Sequence, residues 1–179
     1  MVRKKQHRLF RKLVSWFGIV IFSVQIALGQ YEQESAFAVL TLNFVRFTNW
    51  PDQSMTEMNI CVYGNNIVQE SFALIDNKIA NKKTVNIVLL SRLKNLDQCQ
   101  TLYISELNKY TLDQLFLEIK NLPILTVSGQ EDFVKAGGMV EIRNVEGKIR
   151  FFINLKHVER AGLKMSSRLL KLAQIIEDS

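Results

Sequence analysis

The chain has 179 residues, 47% of them hydrophobic, with 23 basic and 17 acidic side chains, two prolines and eight glycines. That is the length of one ordinary domain with a short appendage, and the composition excludes collagenous, low-complexity and largely disordered chains. The net charge of +6 invites a nucleic-acid reading, but Arg3, Lys4, Lys5, Arg8, Arg11 and Lys12 all lie in residues 1–29, which hold no acid; residues 30–179 carry 17 basic and 17 acidic side chains. A domain that is neutral overall lacks the electrostatic footprint of a phosphate-backbone binder, so no nucleic acid is expected among its partners.

Residues 1–29 read as an export signal. A basic stretch to Lys12 precedes the apolar stretch 14–26, and Ala27-Leu28-Gly29 puts small residues where a signal peptidase reads. The apolar stretch is shorter than the roughly 20 residues of a bilayer span. An uncleaved anchor is the alternative, since Leu9, Phe10 and Leu13 extend the apolar character backwards. With either outcome the domain from Gln30 onward lies outside the cytoplasm, in a bacterial periplasm, and cleavage makes Gln30 the mature N-terminus.

The domain, 30–179, opens with a helix over 32–48, where Phe37, Leu40, Phe44 and Phe47 form one apolar stripe. Trp50-Pro51 ends it, because a residue before proline is pushed out of helical geometry. NICVYG (59–64) is a short apolar strand, and 66–76 a helix offering Ile67, Phe72 and Ile75. TVNIVLLS (84–91) and TLYIS (101–105) are further strands. The stretch 111–122 is a helix starting on a threonine cap, and PILTVSG (123–129) is a fourth apolar strand. Strands alternating with helices predict one α/β domain, a mostly parallel Rossmann-like sheet flanked by helices.

The pattern then turns to strict alternation in 139–143 and 149–155, with Ile149, Phe151, Ile153 and Leu155 on one side, joined through 144–148 as a C-terminal antiparallel hairpin. Gly137-Gly138 before it supplies a backbone geometry that a β-carbon would forbid. A last helix starts near Ser166-Ser167 and buries Met165, Leu169, Leu172 or Ala173, and Ile176. Cys61 and Cys99 each adjoin an apolar, β-branched run. Two cysteines in an oxidising compartment most often pair, and two buried thiols are the other arrangement.

Catalytic parts are scarce. His157, in NLKHVER, is the one histidine of the mature chain and reads as a surface or packing residue. There is no GxSxG elbow, HExxH, CxxC, GxGxxG or P-loop, and no His, Cys and Asp cluster at metal-ligand spacing. Glu131-Asp132 read as a solvated helix start rather than an acid/base pair. No catalytic residue, cofactor or metal is expected.

One ordered set of motifs does carry a resemblance: NFVRFTNWP (43–51), ICVYG (60–64), Cys99 before an apolar strand, ILTVSG (124–129), FVKAGGMVEI (133–142), IRFFINL (149–155) and AGLKMSSRLLKLA (161–173). This succession, from Phe37 to Ala173, resembles the YfiR family of small periplasmic proteins. The resemblance implies a repressor of an inner-membrane diguanylate cyclase, acting on the cyclase's periplasmic part to lower cyclic di-GMP and restrain biofilm formation. A sensor kinase is the alternative membrane partner, and a homodimer is also implied. The first family disulfide is similar in position to Cys61 and Cys99. A second has no counterpart here, since Val134 and Glu141 stand where its cysteines would be. Arg46, Trp50, Lys164 and Ser166 either line a partner or ligand surface near the helix ends or simply pack there. A periplasmic small-molecule binding protein, serving a receptor or transporter, is the alternative function.

Overall fold

A computed structural model describes residues 29–177. The expected leader therefore lies outside the described residues except for Gly29. Residues 29–33 are helical and belong to a separate N-terminal unit; Glu34–Ser179 is the unit described below.

Helix α1 (34–46) buries Phe37, Ala38, Leu42, Phe44 and Val45. It stops two residues before its predicted end. Phe47 closes the last turn through its amide, which is bonded to the Asn43 and Phe44 carbonyls, and its ring is left 40% exposed. The chain continues as the two-residue strand β1, Thr48–Asn49.

Next come β2 (Glu57–Tyr63), α2 (Asn66–Ala73), β3 (Ile79–Ala80), β4 (Lys83–Leu90), a 3-10 turn (Leu96–Gln98), β5 (Thr101–Ile104), α3 (Lys109–Glu118) and β6 (Leu125–Ser128). Asn65 caps α2 by accepting the Val68 amide at 3.1 Å, and Asn108 caps α3 by accepting the Thr111 amide at 2.9 Å. The α3 cap is therefore Asn108 rather than the predicted threonine, because asparagine reaches the free amides one turn earlier. The remaining elements are β7 (Val140–Val145), β8 (Lys148–Ile153), α4 (Leu155–Arg160), β9 (Lys164–Met165), α5 (Ser167–Leu170) and β10 (Gln174–Ile175).

Eight strands form one sheet in the order β10-β8-β7-β6-β5-β2-β4-β3. The five from β7 to β4 run parallel, β7 and β8 form the expected antiparallel hairpin, and β3 closes the other edge antiparallel to β4. Helices cover both faces, which is why the inner strands read as continuous apolar runs. On one face Ile60, Val62, Tyr103, Leu125, Val127, Val140 and Ile142 pack against α1 and α2. On the other, Cys61, Leu102, Ile104 and Ile124 pack against Leu112, Leu115 and Ile119 of α3 and against Phe133. The chain is thus an α/β domain with a mostly parallel sheet, as its pattern predicts.

The C-terminal segment departs from expectation. Helix α5 ends at Leu170, Leu172 is 75% exposed, and Gln174–Ile175 add a parallel edge strand to β8. An edge strand's unpaired backbone groups, here on Phe152 and Ile153, recruit the tail more strongly than a weak apolar stripe holds it as helix. Within the hairpin, Ile153 is buried and Phe151 meets Phe44 edge-on at 5.2 Å. Ile149, near the hairpin turn, is 40% exposed, and Leu155 begins α4.

Candidate functional site

Three of the four residues expected near the helix ends are brought together by a small two-stranded sheet. Strand β1 pairs antiparallel with β9, placing Asn49 opposite Lys164 and Thr48 opposite Met165, and the Ser166 amide donates to the Phe47 carbonyl at 2.8 Å. Arg46, exposed at the end of α1, reaches the Asn43 side chain at 3.1 Å and the Ile79 carbonyl at 3.4 Å. Lys164 is exposed, whereas Ser166 is half-buried and its hydroxyl caps α5 by accepting the Leu169 amide. Trp50 is 5% exposed, and its indole N–H donates to the Gln100 carbonyl at 3.1 Å. It is an internal strut, because an indole whose N–H finds a buried acceptor gains by full burial.

Cys61, inside β2, and Cys99, just before β5, form a disulfide with Cα atoms 5.7 Å apart. Both are buried, and the bond joins two strands that already pair, Cys61 standing opposite Leu102. At the two positions without the second family cysteines, Val134 donates its amide to Glu141 Oε2 at 3.2 Å. Glu141 is fully buried, and Arg143 Nε lies 2.8 Å from its other oxygen, close enough for an ion pair though not aligned as a hydrogen bond. Arg143 also stacks 4.0 Å over the Phe152 ring and reaches Glu131 at 3.2 Å. A polar network therefore ties the 131–137 turn to β7 where a covalent bridge is missing.

Glu131 and Asp132 are exposed, and they start a turn rather than a helix. Lys135 pairs with Asp132 at 2.7 Å, and the hydrogen bond followed by the lysine's charge holds that carboxyl below its ordinary range. Among the described residues no three His, Cys, Asp or Glu side chains cluster as a metal site.

In an open parallel sheet, ligands bind at the carboxyl ends of the strands where the order reverses, here between β2 and β5. That crevice is filled. A β-carbon at Gly64 would stand 2.8 Å from Val68 Cγ1 and 3.1 Å from Ser105 Cβ, so glycine is what lets the two connections close on each other. Gln130 bonds the Leu107 backbone in both directions, at 2.8 and 3.0 Å. A cavity of about 620 Å³ opens instead near the amino ends of β6 and β7, among the end of α3, the Gly137-Gly138 turn and α4. His157 lines it, half-buried, with Nδ1 3.3 Å from the Gly138 carbonyl. Sequence reasoning missed this cavity because three distant segments build it; the paired glycines were its one local sign.

A family model described as YfiR/HmsC-like matches residues 35–174. The chain belongs to the YfiR/HmsC-like family. That match spans the sheet except for Ile175 of β10, the helices except for the first residue of α1, and both cysteines. No curated protein matches the chain. Among solved structures, a conserved domain protein from Vibrio cholerae O1 biovar El Tor strain N16961 is similar, with 10% sequence identity and a TM-score of 0.47. The likeness covers 68% of this chain and 55% of that one, so the chain spans about half the length of that protein.

Proposed function

We propose that this protein is a non-enzymatic periplasmic regulator that binds the extracytoplasmic part of an inner-membrane diguanylate cyclase and represses it, lowering cyclic di-GMP and biofilm formation. The observation that carries this reading is the family match over 35–174. A buried disulfide suits an oxidising compartment such as the periplasm. The ribbon formed by β1 and β9, with Arg46 and Lys164 exposed beside it, is the surface we assign to the partner. One cation on the paired ribbon, Lys164, and one at the adjoining end of α1, Arg46, give a charged edge of the kind that steers association.

Deleting the gene should raise cyclic di-GMP, and the wild-type gene should restore it. A double variant, Arg46→Glu with Lys164→Glu, should fold and export normally yet fail to restore repression. An unchanged cyclic di-GMP level in the deletion strain, under several growth conditions, would sink the cyclase reading. Full repression by the double variant would remove the ribbon as the contact surface.

A further inference from the structure

We propose that the cavity between α3, the Gly137-Gly138 turn and α4 binds a small organic anion with an apolar body, such as an aromatic carboxylate. Its volume, about 620 Å³, is in the range of small-molecule sites. Phe116, Ala136 and Met139 give it an apolar wall, while Lys120 and Arg160 stand at its margin against one acid, Asp113. A bare inorganic ion would leave the apolar wall uncovered. A sugar would set several hydroxyls against the Phe116, Ala136 and Met139 wall, whose side chains offer them no hydrogen-bond partner. Gly137 has φ +116°, and a β-carbon there would lie 2.9 Å from the Phe116 ring, so this part of the wall is bare backbone. The Phe116 ring is in turn braced on Phe133, with centroids 5.7 Å apart.

Arg160 lies in the last turn of α4 and Lys120 just past the C-cap of α3, where a cation can offset the helix dipole, and that simpler role is what the test must separate. Arg160 and His157 are engaged within the protein, so Lys120, exposed on the turn after α3, is the cation an incoming carboxylate meets first. The inference goes beyond the regulatory reading and does not depend on which membrane protein is the partner.

The test is calorimetric titration of the purified, oxidised protein with 2-naphthoate and its neutral analogue 2-naphthylmethanol. Naphthoate should bind at one site about two- to fivefold more tightly than the alcohol, the difference expected of one solvated charge pair. Lys120→Gln should remove most of that preference and leave the alcohol unchanged. Ala136→Phe, which fills the cavity, should abolish both. Absence of saturable naphthoate binding at millimolar concentration, equal affinity for acid and alcohol, or an unchanged preference in Lys120→Gln would each overturn the proposal. Lys120 is exposed, so that variant tests the site even if Ala136→Phe fails to fold.

Discussion

At Glu34, which is 8% exposed, the carboxyl accepts the Tyr103 hydroxyl at 3.0 Å. Burial raises its proton affinity, and the Tyr103 bond offsets only part of this. Tyr103 is held well above the ordinary phenol range by its own burial, then by the charge of Glu34. A carboxyl with a raised folded-state pKa favours folding while protonated, fully at pH values below its unfolded value. That contribution disappears as pH rises through the raised one. Glu34→Gln should therefore be more stable than wild type at neutral pH, with the gap closing toward acid. Parallel denaturation midpoints from pH 4 to 8 would contradict this. Thr101 lies fully buried in β5 with a hydroxyl that has no partner among the described residues. Thr101→Val keeps the shape and removes the orphan, so it should raise stability by about 1 kcal/mol, measured by urea unfolding. Trp50→Phe should cost about 2–3 kcal/mol from lost packing and the lost bond to Gln100. Repression should nevertheless persist below the new melting point, because the indole faces the interior.

The disulfide ties β2 to the residue that closes the turn before β5, and its cysteines are 38 residues apart in sequence. In the chain-entropy account a loop of that length is worth about 4 kcal/mol. Replacing both cysteines with alanine should lower the thermal midpoint by roughly 10 °C or more at 2–4 °C per kcal/mol. Because the bond is buried between strands that pair without it, repression should survive in the folded double mutant at low temperature; its loss there would mark a redox switch. Labelling of two thiols after denaturation without reductant would show that the bridge is absent. The other edge-setting element is β10. Ile176 donates its amide to the Ile153 carbonyl at 2.9 Å and extends the pairing of Gln174 and Ile175 along β8. Removing residues 173–179 should uncover the β8 edge and promote self-association, seen as concentration-dependent elution in size exclusion. Unchanged monodisperse elution would show that the tail does not protect that edge.

On the scale of the whole molecule, export gives a direct check: we expect the protein recovered from periplasm to begin at Gln30 by mass spectrometry, and intact Met1 in the membrane fraction would mean a tethered form. The neutral charge of 30–179 and the two-faced burial of the sheet were legible in the sequence. NICVYG, TLYIS and PILTVSG are apolar without alternation because helices cover both faces, whereas the hairpin alternates because its outer end is solvated. The position of the disulfide was legible as well, since both cysteines adjoin core strands. Four strands of two residues each (β1, β3, β9 and β10) were not, because two residues carry no period. The burial of Trp50 depends on a carbonyl 50 residues away, and the cavity on three separate segments. Local periodicity is written into neighbouring residues and so determined the domain class, the inner strands and the main helices. Strand order, edge pairing, the capture of the tail by β8 and the hollow beside α4 depend on which distant backbone groups and side chains meet, and only the tertiary structure decided them.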